Sequence, residues 1–328
     1  MKILYFCPNT LGHFPHMYPY YKKMGGLVIT KNKQEVTNFK KQYKKVNIIT
    51  NTIDAILYDP DIIMYCDYDG LPTGNFRAKI VQIFHAIGIK KYFASKKEWN
   101  TCEKFDLCLL YGNKILDEFK QNGYNIKHEI IGYPRLDEIN KISKPMFNND
   151  RKIVLVAPTW GDLSLLHKFT KQIIELSHQY NVIIKAHNLT NTGNDRDNNV
   201  QYLEELYKAS SDTLKICGNL DIFPLMDYSD ILITDYSASS CEYTGLNKPI
   251  IIADPGVLPV MLTEQPDIWK VFHICKEPKN LQDAVTKQLN KDEYQNERQK
   301  YFKKLVYNEP GTTATERGIT AMKKLIGE

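Results

Sequence analysis

Short apolar runs alternate with longer segments of helical period along almost the whole of this 328-residue chain. That alternation restricts it to parallel sheets covered by helices. In the first half Ile3–Cys7, Leu27–Thr30, Val46–Thr50, Ile62–Cys66, Ile80–Phe84, Leu107–Leu110 and Glu129–Ile131 read as strands, and Pro15–Met24, Gln34–Lys44, Lys114–Asn122 and Pro134–Ile142 as helices. The polar stretch Ser143–Arg151, with Pro145 and two asparagines, reads as a linker. The alternation then restarts with strands Ile153–Ala157, Val182–Ala186, Leu214–Cys217, Ile231–Thr234 and Ile250–Ala253, and helices at Leu165–His178, Val200–Ala209, Leu281–Leu289, Asp292–Leu305 and Thr313–Ile326. At 43% apolar residues the chain holds enough material for two cores. The fold class expected is α/β: two Rossmann-like domains, residues 1–146 and 147–310, facing across a cleft, with a helix over 311–328 crossing back to the first.

Composition removes several functions. The net charge of +5 is spread along the chain instead of forming one arm, which argues against nucleic-acid binding. The seven cysteines show no C-x-x-C spacing and sit mostly in apolar runs, as reduced thiols of a cytosolic protein do. No apolar run approaches the roughly 18 residues that span a bilayer, and Met1–Phe6 lacks the long apolar core of a signal peptide. A cytoplasmic protein is expected. Tyr18–Lys23, Phe39–Lys45 and Lys90–Phe93 interleave basic and aromatic residues. Such faces suit an anionic membrane surface about as well as they suit water.

Ligands of α/β folds sit beyond the carboxyl ends of the strands, so the segments that follow strands carry the chemistry. Ser229–Tyr243 runs from an apolar strand into Asp235, Ser237, Ser239 and Ser240 at the start of a helix. Hydroxyls and backbone N–H groups at such a junction favour a phosphate. Ser239 and Glu242 also fit a capping box, a structural role compatible with the ligand role. His85 ends one apolar run and precedes Lys90; His187 follows another; Thr159 and Trp160 follow a third; Arg135 lies in Gly132–Asp137. His13 and His16 occupy the first post-strand loop, and with no carboxylate close by they do not read as a metal pair. Asp67-Tyr68-Asp69 matches the Asp-x-Asp of metal-dependent sugar transferases but reads as a loop, and no cofactor or metal is expected.

These segments together resemble the family of CDP-glycerol and CDP-ribitol polyol-phosphate transferases that build teichoic acids and related capsule polymers. The resemblance rests on His85-Ala86 with Lys90, Gly132-Tyr133-Pro134-Arg135 with Asp137, Ala157-Pro158-Thr159-Trp160, His187, Thr234-Asp235-Tyr236-Ser237 with Lys248-Pro249-Ile250, and Ala314-Thr315-Glu316-Arg317, in order from about residue 80 onward. It implies a GT-B fold and transfer of glycerol phosphate or ribitol phosphate from a CDP donor to a glycan or lipid-linked hydroxyl, releasing CMP. By that resemblance His85 is the general base and His187 holds the donor's pyrophosphate. Thr159, Trp160, Asp235, Ser237, Ser239, Ser240, Glu242, Arg135 and Lys90 form the donor side; His13 and His16 lie on the acceptor side. The chain departs from the family pattern at Ala86, Asn188, Gly161-Asp162 and Ala238. Those departures leave a second reading open: a GT-B glycosyltransferase or nucleotide-sugar epimerase using a UDP- or CMP-sugar.

Overall fold

The computed structural model describes residues 1–7, 11–66, 76–85, 87–88, 104–137, 145–191, 198–218, 220–257 and 266–328. Lys90, Ala86, the Asp67-Tyr68-Asp69 tripeptide, Ser143 and Lys144 lie outside the described residues. The chain divides into two compact units: Met1–His85 with Lys91–Glu138 and Lys303–Glu328, and Ala86–Lys90 with Ile139–Phe302.

The first unit carries a seven-stranded parallel sheet in the order β3-β2-β1-β4-β5-β6-β7. Its strands are β1 (Ile3–Cys7), β2 (Leu27–Thr30), β3 (Ile48–Ile49), β4 (Ile62–Tyr65), β5 (Lys79–Ile83), β6 (Leu107–Leu110) and β7 (His128–Ile130). Between them run helices α1 (Phe14–Met24), α2 (Val36–Gln42), α3 (Thr52–Tyr58) and α4 (Asn113–Gln121). Central strands β1 and β4 are buried at every position, and so their sequences are unbroken apolar runs instead of alternating ones. Edge strands β3 and β7 are short and only partly buried.

The second unit carries six parallel strands in the order β10-β9-β8-β11-β12-β13. They are β8 (Ile153–Ala157), β9 (Asn181–Ile184), β10 (Leu214–Ile216), β11 (Ile231–Thr234), β12 (Ile250–Ala253) and β13 (His273–Cys275). The helices that follow are α5 (Leu166–Leu176), α6 (Asn188–Asn191), α7 (Val200–Lys208), α8 (Ile222–Tyr228), α9 (Ala238–Tyr243), α10 (Leu281–Asn290) and α11 (Gln295–Leu305). Helix α5 shows why the pattern was readable: Leu166, Phe169, Thr170, Ile173 and Leu176 recur at helical spacing and are all buried against the sheet. The chain passes back into the first unit within α11 and ends in α12 (Ala314–Ile326).

In each sheet the strand order reverses once. Chain-first β1 lies between β2 and β4, and β8 lies between β9 and β11. Beyond the carboxyl ends of strands beside such a reversal the flanking connections part, leaving room for a ligand.

Several expected elements differ in detail. The segment expected as one helix over Gln34–Lys44 is a 3-10 turn at Lys33–Glu35 followed by the shorter α2. Pro134 starts a 3-10 turn ending at Leu136, and the remainder of that expected helix, from residue 138 on, lies outside the described residues. Helices α3 and α8 and strand β13 have no counterpart in the sequence reading. Helix α3 buries only Ala55 and leaves Ile53 at 70% and Leu57 at 76% exposure, so no apolar face marks it. Helix α8 carries a readable signal: Asp221 caps Phe223 N, and Pro224 lies in the first turn.

Candidate active site

In the first unit the reversal point gathers three histidines. His85 follows β5, and its Nδ1 lies 2.5 Å from the carbonyl oxygen of Cys66, the residue after β4. A carbonyl only accepts, so Nδ1 carries the hydrogen and the lone pair of the neutral ring falls on Nε2. His13, at the start of α1, stacks on His85 with ring centroids 4.5 Å apart and planes 26° from parallel. The loop carrying His13 is held to β4 by the Cys66 thiol, which donates to the His13 carbonyl over 3.5 Å. His16 meets His85 edge-on at 5.9 Å. Its Nδ1 lies 3.2 Å from the hydroxyl of Tyr133, and both side chains are buried. Expected catalytic residue His85 and expected acceptor-side residues His13 and His16 thus come together. Tyr133 and the Cys66 carbonyl join them without having been singled out for it. Arg135, expected to add charge for phosphate, is buried in the 3-10 turn after Tyr133.

Two motifs of the resemblance, Gly132–Asp137 and Ala314–Arg317, also hold each other. Asp137 Oδ1 accepts from Ala314 N at 3.0 Å, while Oδ2 accepts from Thr315 N at 2.6 Å and Thr315 Oγ1 at 2.7 Å. Arg317 Nε donates to the Ile131 carbonyl at 2.8 Å. Thr313 and Glu316 form a capping box at the same helix end. Gly132 has φ +87°, and a Cβ there would lie 2.4 Å from the Tyr307 carbonyl oxygen, so only glycine allows the returning chain to pass. These contacts seat α12 on the first unit. A second close approach completes the seat, because a Cβ on Gly318 would lie 2.2 Å from the Tyr20 hydroxyl.

In the second unit the segments after β8 and β11 are tied together by Asp235. This fully buried carboxylate accepts through Oδ2 from Thr159 N at 2.8 Å and Leu165 N at 3.0 Å. Its Oδ1 finds no hydrogen-bond partner among the described residues. Burial raises its pKa from 3.8 to about 7, against the opposing pull of backbone N–H groups. Asp235 therefore shapes the loop that carries Thr159 and Trp160. Thr234 Oγ1 donates to the Ala157 carbonyl at 2.7 Å and lies 2.9 Å from Ser237 Oγ. With the Thr234 hydrogen committed, Ser237 is the donor in their contact.

The capping box expected between Ser239 and Glu242 does not form. Helix α9 starts at Ala238, with Ser237 as N-cap and no side-chain cap bond, so Ser239 falls inside the first turn and Glu242 is buried. Ser240 Oγ donates back to the Ser237 carbonyl at 2.8 Å. The half-buried Ser239 makes no side-chain hydrogen bond among the described residues. After β9, the half-buried His187 ring lies 6.3 Å from that of Trp160, which is 39% exposed. Two residues earlier Lys185 donates to the Ala186 carbonyl at 3.1 Å, and burial lowers its pKa to about 8 against the attraction of Asp221. Among the described residues no three His, Cys, Asp or Glu side chains group as metal ligands. No helix among them is long and apolar enough to cross a membrane.

Two Rossmann-like units, each built on its own parallel sheet, make a GT-B-like fold. The chain belongs to the family described as CDP-glycerol:poly(glycerophosphate) glycerophosphotransferase, whose model matches residues 26–319. It is 29% identical over 201 residues to the teichoic acid glycerol-phosphate primase of Bacillus subtilis strain 168, covering 53% of this chain and 50% of that protein. It is 31% identical over 171 residues to the teichoic acid poly(glycerol phosphate) polymerase of Bacillus spizizenii, covering 45% of this chain and 41% of the polymerase. The matches thus span half or less of these relatives. Among solved structures, the wall teichoic acid polymerase TagF soaked with CDPG aligns at TM-score 0.65 and 17% identity, over 99% of this chain and 89% of that one. The S. aureus MnaA–UDP structure aligns at TM-score 0.63 and 17% identity, over 100% and 98%. At such identities the two structures speak for the fold alone.

Proposed function

We propose that the chain transfers a polyol phosphate, glycerol phosphate or ribitol phosphate, from a CDP donor to a hydroxyl of a glycan or lipid-linked acceptor, releasing CMP. Family membership over residues 26–319 supports the donor class. The observation that carries the chemistry is the 2.5 Å contact between His85 Nδ1 and the Cys66 carbonyl. It fixes the tautomer whose Nε2 takes the acceptor's proton as the oxygen attacks the β-phosphorus. That oxygen forms the new phosphodiester bond, the bond from phosphorus to the bridging oxygen breaks, and CMP leaves with the electron pair.

On the donor side His187, with Trp160 beside it, holds the diphosphate. Ser237 turns its hydrogen from Thr234 to a phosphate oxygen, and Ser239, Ser240 and Thr159 line the same strand ends. The charges of Arg135 and Lys90 belong to this reading, and so does an acceptor at an anionic membrane surface. Removing one donor aimed at the departing charge typically costs about 10²–10³ in rate.

A CMP-release assay with CDP-glycerol, CDP-ribitol and a lipid-linked or glycan acceptor tests the proposal; no turnover with either donor overturns it. The UDP- or CMP-sugar reading is separated by ranking CDP, CMP, UDP and GDP in thermal shift. A nucleotide that binds only the folded chain raises its melting temperature, and UDP ranking above CDP would favour the sugar nucleotide.

A further inference from the structure

Three imidazoles gathered around one site raise a problem for any of them that acts as a base. A charge on one ring opposes a charge on the next, so a base surrounded by protonated neighbours is a weak base. In the first unit one of those neighbours has a buried hydrogen-bond partner of its own. His16 is buried, its Nδ1 faces the Tyr133 hydroxyl at 3.2 Å, and its ring edge meets His85 at 5.9 Å. Helix α1 packs directly on the 3-10 turn that follows Tyr133. The pairing of His16 with Tyr133 is therefore set by the fold, not by a mobile side chain.

We propose that Tyr133 and His16 are positioning residues for His85: the Tyr133 hydroxyl donates to His16 Nδ1, holds that buried ring in its neutral form, and so leaves His85 able to accept a proton. The catalytic part of this inference rests on the role assigned to His85 above. The groups that face the cluster among the described residues are His13 and His16 from α1 and its preceding turn, the Cys66 thiol and carbonyl from the end of β4, and Tyr133. The elements packed against α1 add three charged groups: the buried Arg135 guanidinium and the Asp137 carboxylate from the turn after Tyr133, and Arg317 from α12, of which Asp137 is committed to the start of α12. His13 stacks on the face of His85 with planes 26° from parallel, which leaves the in-plane Nε2 edge of His85 uncovered by that ring.

The test follows the histidine ring nitrogens of the full chain by NMR across pH 5 to 8. In the unsubstituted protein the His16 ring keeps the signature of a neutral ring bearing its hydrogen on Nε2. In Tyr133→Phe the His16 ring loses that donor and takes a proton, and the titration midpoint of His85 falls by about one pH unit, the effect of a full charge arriving near 6 Å in a partly screened site. The acidic limb of kcat/KM moves the same way. His16→Gln alone leaves the His85 midpoint in place, and His16→Gln added to Tyr133→Phe restores it.

An unmoved His85 midpoint in Tyr133→Phe overturns the proposal. So does a double variant that stays shifted, or a rise of about one unit in His16→Gln alone, which would mean that His16 was charged. If Tyr133→Phe fails to fold, His16→Gln decides by itself. Absence of CMP release by the unsubstituted protein would sink the assigned reaction and leave the ring titrations to judge this inference.

Discussion

Replacing Asp235 by asparagine isolates the cost of burying its charge. The asparagine carbonyl can keep the bonds from Thr159 N and Leu165 N, so the loop after β8 should hold its shape while the titration disappears. The folded pKa is raised, from 3.8 to about 7. The contribution of this carboxyl is therefore complete below about pH 4, where both states are protonated, and is lost as pH rises through about 7. At about 1.4 kcal/mol per pH unit, the rise amounts to roughly 4 kcal/mol of stability lost by pH 8. Water entering the second unit would reduce that figure. Urea unfolding at pH 5, 6, 7 and 8, followed by tryptophan fluorescence, reads the effect, since Trp160 and Trp269 both belong to the second unit. The expected result is that Asp235→Asn gains on the unsubstituted protein at each step, with the steepest gain between pH 5 and 7. Parallel stability curves would show that the carboxylate is compensated where it lies, and the burial argument would fail.

Asp137→Ala strips three hydrogen bonds from the start of α12. At roughly 1.5–3 kcal/mol for a bond to a charged group, shared among three that do not add fully, the loss should be about 3 kcal/mol and should speed proteolysis between residues 305 and 314. Gly318→Ala forces a methyl to within 2.2 Å of the Tyr20 hydroxyl; a loss of about 1–3 kcal/mol from overpacking should appear as a lower unfolding midpoint, and an unchanged midpoint would contradict the packing. Ser237→Ala removes a hydroxyl that caps no backbone N–H, so stability should move by less than about 1 kcal/mol while CMP release falls about 10²–10³-fold; equal loss of both would make the residue structural.

The sheets were legible because central strands buried on both faces must be continuous apolar runs, as Ile153–Ala157 and Ile231–Thr234 are. The post-strand segments were legible because chain order places them there. Partnership across the chain was not. Asp137 and Thr315 stand 178 residues apart, and nothing in either motif says that one caps the other. The same holds for the histidines: spacing puts His13 and His16 in one loop, but only the fold shows that both reach His85 and that Tyr133 holds one of them. Asp235 read equally as a ligand for the donor and as a structural bridge, because an acidic residue before serines looks the same whether it faces a phosphate or bonds the backbone of Thr159 and Leu165. Its complete burial is a property of the packed sheet.

Phosphorus NMR of CDP-glycerol incubated with the protein and an acceptor tests the assigned chemistry most directly. The pyrophosphate signals should give way to the monoester of CMP and the diester of a transferred glycerol phosphate, with neither product formed by His85→Asn. Pyrophosphate signals that persist, or the same products at the same rate from His85→Asn, would contradict it.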